Sequence, residues 1–324
     1  MDARGRRQYA RLRQGFHKKN IQEWSDAALK RRGWVDFLFI FPTALAFVMV
    51  IIVPFFLGIY YAMTDWDGVR TTLTWVGFQN FTGMFKEPQF IYSFLITLLY
   101  TVINIVLVNI VGFLMSLLAT SRVKGRNFYR AGFFVPNLIG GIVLGYIWQF
   151  VFNNVFVDLG NAAGLAFMQK SFIARRETVI WAMSFVNTWQ YAGYIMMIYV
   201  ASIQAIPDSV LEAANVDGAN YRTRVFRIMM PMMASAFTIT LFLTLTNSFK
   251  QFDLNSTLTN GGPAMVYMGK AIRASQLLAM DIYRTANQFN LMAQAQAKAV
   301  VFFIILVVFS LIQVYLNKRK EVEA

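Results

Sequence analysis

Residues 89–121 read QFIYSFLITLLYTVINIVLVNIVGFLMSLLATS, a run without one charged side chain. A helix rising 1.5 Å per residue crosses roughly 30 Å of hydrocarbon in about 20 residues, so this run is long enough to span a bilayer. Five further uncharged runs occupy 37–63, 131–157, 178–206, 228–249 and 299–317. Hydrocarbon offers backbone amides no water, so each run must satisfy its own hydrogen bonds as a helix. The expected fold class is therefore all-α, a polytopic membrane protein of about six transmembrane helices.

Composition supports this class and supplies an orientation. Hydrophobic residues make up 57% of the chain, and the mean hydropathy is +0.48. The formal net charge of +14 would suit a nucleic-acid binder if it sat on a soluble domain. Instead the basic residues sort by loop. Arg4 to Arg32 precede the first run, Arg122, Lys124, Arg126 and Arg130 follow the second, Arg222, Arg224 and Arg227 follow the fourth, and Lys318, Arg319 and Lys320 follow the last. These alternate loops hold 20 of the 30 Lys and Arg, so the positive-inside rule places both termini in the cytoplasm. The basic arm then meets anionic membrane lipids, and no nucleic-acid partner is expected. The domain reading is a cytoplasmic basic arm over 1–35, a transmembrane domain over 36–317 and a cytoplasmic tail over 318–324.

The first run begins too late and is too long for a signal peptide, and it carries Pro42 and Pro54, so it is read as a retained span. The chain has no cysteine and only His17, which removes disulfides, thiolate metal sites and cysteine nucleophiles. No metal site is expected. On the outer side, the loops 64–88, 158–177 and 250–290 carry few basic residues, and Trp66 and Trp75 suit interface height. The segment 266–282 mixes Lys270, Arg273 and Asp281 with apolar residues and is read as a helix lying on the outer interface. Lys298 is expected to snorkel from the last span to the headgroups, with a place on a transport path as the alternative.

The inner segment 206–231 reads IPDSVLEAANVDGANYRTRVFRIMMP. Pro207 ends the fourth span, and Ser209 with Glu212 has the spacing of a capping box for a helix over 210–216. Gly218 would close it with a left-handed turn, and Asn220 would cap a second short helix ending before Pro231. That second helix would carry Tyr221, Val225 and Ile228 or Met229 on one face and Arg222 and Arg227 on another. Two short helices at a glycine corner form a rigid cytoplasmic knob, a shape suited to being gripped by a partner.

At Glu212, Ala213, Ala214, Gly218, Ile228 and Pro231 the sequence resembles the permease subunits of binding-protein-dependent ABC importers, with Met230 standing where leucine is usual. Asp217, Gly218 and Ala219 give the form typical of the carbohydrate branch related to the maltose permease, and the resemblance covers roughly residues 36–320. It implies the type I ABC importer permease fold and a bacterial or archaeal cell membrane. It also implies three partners: a second permease subunit, a dimer of ATP-binding subunits that grips the 206–231 coupling loop, and an extracytoplasmic solute-binding protein. The coupling residues would be Glu212, Ala213, Ala214, Asp217, Gly218 and Ala219. For Glu212 and Gly218 helix capping, worth about 1 kcal/mol each, is a compatible structural role.

ATP and magnesium would belong to the partner, with no cofactor in this chain. The nearest approach to a phosphate-binding loop, Gly269–Lys270, has Ala264 at the first glycine position and Ala271 after the lysine. Sugar recognition needs amides, hydroxyls and aromatic rings inside the bundle. Gln190, Tyr191 and Tyr194 in the fourth span, and Thr244, Asn247, Ser248 and Gln251 along one stripe of the fifth, are the candidates for a substrate pathway. The competing role for such residues is hydrogen bonding between helices. The expected function is translocation of a carbohydrate, an oligosaccharide by preference. A polyol or glycerol phosphate is the alternative cargo, and a secondary transporter the alternative class, disfavoured by spans without carboxylates.

Overall fold

The computed structural model describes residues 36–70, 72–121 and 124–318. The basic arm with His17, Arg122 and the end of the tail lie outside the described residues. The chain divides into two units, Met1–Tyr60 and Tyr61–Ala324. The described part of the first is helix α1, Asp36–Ala62, whose last two residues, Tyr61 and Ala62, fall in the second unit. A π turn over Val48–Ile52 interrupts α1, with the Val53 amide donating to the Val48 carbonyl. Pro54 accounts for it: proline brings no N–H and crowds the carbonyl four residues back, and a wider turn relieves both.

The second unit is built from helices α2 (Gln79–Met84), α3 (Pro88–Thr120), α4 (Arg126–Phe134), α5 (Gly141–Ala162), α6 (Val179–Gln204), α7 (Asp208–Val216), α8 (Tyr221–Met232), α9 (Ala234–Phe249), α10 (Leu278–Asn287) and α11 (Met292–Lys318). Among the described residues, α1, α3, α5 and α11 are each long and apolar enough to cross a membrane. Helices α6 and α9 reach that measure with α7 and α8, to which they join at bends of 73° and 74°, giving up to six spans.

Three boundaries differ from the sequence reading. The expected third span 131–157 is split: α4 ends at Phe134, a 3-10 turn runs Val135–Leu138 around Pro136, and the spanning helix starts at Gly141. The fifth span, expected over 228–249, breaks at Met233, and the helix before it runs through Pro231. A π turn over Arg224–Met229 precedes that proline, the same accommodation as at Pro54. The segment 266–282 is not one interface helix. It forms a hairpin of β1 (Ala264–Tyr267) and β2 (Lys270–Arg273), followed by α10. Met268 and Gly269 have φ of 49° and 74°, the double left-handed conformation that closes two-residue hairpins.

Helix α3 forms the spine of the second unit and packs against both α6 and α9. Small residues allow the approach. A β-carbon on Gly112 would stand 3.1 Å from the Ala192 carbonyl oxygen of α6, and one on Gly193 would collide with the Phe133 carbonyl oxygen of α4. Apolar packing fills two layers, one around Tyr100, Met183 and Leu258, the other around Val108, Tyr199 and Met233.

Helix α11 starts seven residues before the uncharged run because Lys298 lies inside it, and that lysine neither snorkels nor lines an open path. It is fully buried, with Nζ 2.9 Å from Asp281, 2.7 Å from Glu87 and 2.8 Å from the Thr285 hydroxyl. Burial pushes the Asp281 carboxyl up, and Lys298 draws it back down. Removing the lysine alone strands a buried carboxylate, so Lys298→Ala should cost about 3–5 kcal/mol. Lys298→Met combined with Asp281→Asn should recover most of the loss. Thermal unfolding of the detergent-solubilised protein measures both, and equal melting of Lys298→Ala and the parent chain would contradict the assignment.

Candidate functional site

Inside the second unit, polar side chains of α3, α6 and α9 form a buried network of two hydrogen-bonded sets, one centred on Asn104 and one on Asn109. Asn104 donates to Ser184 at 3.2 Å and accepts from Asn187 at 2.8 Å. Asn109 donates to Thr244 at 3.2 Å and accepts from Tyr199 at 2.8 Å, whose hydroxyl also meets Thr240 at 2.7 Å. Gln251 extends the network by donating to Asn187 at 3.1 Å.

This network divides the expected pathway residues. Thr244 and Ser248 are fully buried, and Thr244 serves contact with α3 through Asn109 rather than an open path. Gln190 donates to the Ile139 carbonyl at 2.9 Å and pins α6 to the kink before α5. Tyr191, Asn247 and Gln251 share a cavity of about 390 Å³ with Leu243, Thr246, Lys250, Phe252 and Asp253. Tyr194 stands behind it, its ring 5.4 Å from that of Tyr191.

The open face of α9 thus follows 243, 246, 247 and 250, rotated from the 244–247–248–251 stripe read in sequence. Thr240, Thr244 and Ser248 hold the other side, four residues apart. Lys250 and Asp253 were not singled out in the sequence, because their charges served there to mark the end of the span. In the structure they bring one cation and one anion to the cavity wall.

The second candidate is the knob. Helix α7 begins at Asp208, one residue before Ser209, with Pro207 at its N-cap and no side-chain cap. The expected Ser209–Glu212 capping box is therefore absent, and the acidic Asp208 in the first turn favours the helix start instead. The C-terminus closes as read. Gly218 has φ +76°, its amide donates to the Asn215 carbonyl at 3.1 Å, and the Ala219 amide donates to the Ala214 carbonyl at 2.9 Å. These two bonds form a Schellman motif.

Asn220 caps α8 by accepting from the Thr223 amide at 2.8 Å. Val225 and Met229 are buried, whereas Tyr221 is exposed, so it leaves the face expected for it. Arg224 donates to Asn215 at 2.9 Å across the corner. Glu212, Ala213, Asp217 and Gly218 are exposed, Ala219 is half-buried and Ala214 is buried beneath them. The result is a stiff, outward-facing corner fixed from below.

Comparison with known proteins follows the same lines. The family described as binding-protein-dependent transport system inner membrane component matches residues 109–322. A probable starch degradation products transport system permease protein of Thermoanaerobacterium thermosulfurigenes is 40% identical, covering 90% of this chain and 97% of its own. A multiple sugar-binding transport system permease protein of Streptococcus mutans is 27% identical over 90% of this chain and 96% of its own. In fold, the chain matches a bacterial ABC transporter involved in importing the acidic polysaccharide alginate, with a TM-score of 0.74, 19% identity, and coverage of 92% of this chain and 99% of that one.

The cavity geometry is testable because the chain carries no cysteine of its own. Single cysteines replacing Asn247 or Gln251 should react with a water-soluble maleimide in native membranes. Cysteines replacing Thr244 or Ser248 should react only after unfolding. Equal labelling of both pairs would contradict the orientation of α9.

Proposed function

This chain belongs to the family of binding-protein-dependent transport system inner membrane components, and we propose that it is the permease subunit of an ATP-driven importer that moves a carbohydrate, an oligosaccharide by preference. The observation that carries the reading is the continuity of residues 221–249, which form half of the knob at one end and a wall of the cavity at the other. A partner that grips the corner at Gly218 pulls on α8, and through the bend at Met233 on α9 and its Asn247. Stiff caps at the corner send that movement into the bundle instead of the loop.

The cavity favours a neutral, hydroxyl-rich cargo. Amides of Asn247 and Gln251 and the hydroxyl of Thr246 supply donors and acceptors, and the Tyr191 and Phe252 rings suit apolar sugar faces. Lys250 would favour a phosphorylated solute such as glycerol phosphate, but Asp253 in the same wall balances its charge. A secondary transporter would couple through a carboxylate buried within the spans; the buried Asp281 is bound to Lys298, and Asp253 lies past the end of α9. The names of the relatives, a starch-product and a multiple-sugar system, support the carbohydrate reading.

In this reading the exposed residues Glu212, Ala213, Asp217 and Gly218, with Ala214 and Ala219 beneath, seat in a groove of an ATP-binding subunit dimer. A second permease completes the pathway, and an extracytoplasmic protein delivers the solute. The termini face the cytoplasm, and ATP and magnesium belong to the partner.

The experiment centres on Gly218. Positive φ makes any β-carbon cost about 1 kcal/mol, yet among the described residues nothing beyond its chain neighbours lies within 4 Å of where it would stand. Gly218→Arg should therefore insert normally, lose its ATPase on co-purification and abolish uptake of labelled saccharide. Asn247→Ala should keep the ATPase and lower uptake by removing a contact worth on the order of 1 kcal/mol. Normal transport by Gly218→Arg with its ATPase bound would overturn the coupling role.

A further inference from the structure

At the end of the second unit that this reading places outside the membrane, the β1–β2 hairpin roofs a hollow of about 520 Å³ between itself, the start of α3 and α10. Three cations line it: Lys270 and Arg273, the exposed residues at the two ends of β2, and Arg284 from α10. One carboxylate lines it too, Glu87, but Lys298 already holds that group at 2.7 Å.

The two guanidiniums are forced together. Arg273 donates to the Asn260 carbonyl at 2.8 Å and Arg284 to the same oxygen at 3.0 Å, so two like charges converge on one neutral acceptor. Asn260 holds that carbonyl in place from a left-handed conformation, φ 50°. Arg284 is buried to 3% exposure, and its Nε has no acceptor among the described residues. Burial and the neighbouring Arg273 both press the Arg284 guanidinium below its usual range. Asp281 partly offsets this from within the chain, but Lys298 holds its carboxylate, so a further counter-charge at the guanidiniums would relieve the repulsion.

The frame of the hollow is fixed before any partner arrives. Gln89 accepts from the Arg273 amide at 2.7 Å and ties the hairpin to α3, while Ser275 donates to the Gly262 carbonyl at 2.5 Å. The volume exceeds what one small anion fills, since a water molecule occupies about 30 Å³. Phe289 and Ile272 give the wall an apolar side beside the cations, a lining that matches a carboxylate carried on methylenes.

We infer that this hollow receives an acidic side chain, aspartate or glutamate, projecting from the extracytoplasmic binding protein, with Lys270 and Arg273 meeting its carboxylate at the rim. The inference rests on the importer reading above. Lys270 draws the acidic segment in over distances of a Debye length, and the preset frame then holds it without further ordering. An outer-leaflet phospholipid is the competing occupant. It is disfavoured because the cations lie on a hairpin tied down by Gln89 rather than on the lipid-exposed length of a span.

The test uses the complete transporter in nanodiscs and the solute-binding protein that stimulates its ATP hydrolysis. Lys270→Glu with Arg273→Glu changes only exposed positions of the hairpin, so assembly with the other subunits should persist and is checked by co-purification. Affinity for the binding protein should fall about tenfold or more, its dependence on salt should flatten, and an acidic-to-lysine change on the binding protein should restore it. Unchanged affinity and salt dependence would overturn the inference, as would an effect that appears only when phosphatidylglycerol is present in the disc. Absence of any binding by the parent transporter would instead overturn the importer reading, so the two failures are distinct.

Discussion

Two asparagines of α3 set the arrangement of the second unit. In hydrocarbon an unpaired side-chain amide is costly, and a partner must sit within about 3 Å at a fixed angle. Asn104 finds its partners on α6, and Asn109 finds them on α9 and, through Tyr199, on α6. Three helices are thereby locked in register along their lengths, whereas apolar contact alone would tolerate sliding. Close approach of α3 to α6 at Gly112 makes the hydrogen bonds between them reachable, and the bonds in turn specify which close approach is adopted.

The rest of the site follows from that register. Because the Thr240, Thr244 and Ser248 side of α9 is consumed by the seam, the face bearing Asn247 is left to line the cavity beside Tyr191. Gln251 serves both, touching the cavity while donating to Asn187. A change at the cavity therefore reaches Asn187 and, through it, Asn104. The π turn at Arg224–Met229 lies between the knob and α9, and Val225 and Met229 are buried within it, which keeps it from yielding freely.

The spans were legible in the sequence because charge and length are one-dimensional signals, and the coupling corner because Gly218 and Asn220 act on their own neighbours. What failed did so where the deciding partner is distant. Lys298 read as a headgroup anchor because nothing near it in sequence reveals Asp281 and Glu87 waiting across the fold. The stripe on α9 read one face off because four polar residues in a row of turns do not say which of them another helix will claim. The hairpin was missed because Met268 is an unusual occupant of a left-handed turn, so Gly269 alone carried the signal. Ser209 and Glu212 have capping-box spacing, yet Pro207 and Asp208 start the helix two residues earlier.

The lysine in α11 also bears on how the protein is made. Both of its carboxylate partners, Glu87 and Asp281, precede it in the chain, so they are synthesised before the last helix. A charged residue at the middle of a span costs about 2.5–3.5 kcal/mol on insertion, and less toward the end of a helix, where Lys298 lies. Entry of α11 is thus opposed slightly on its own and rewarded once Glu87 and Asp281 are met. The final helix acts as a bolt: until it seats, Glu87 and Asp281 remain without the counter-ion that Lys298 gives them.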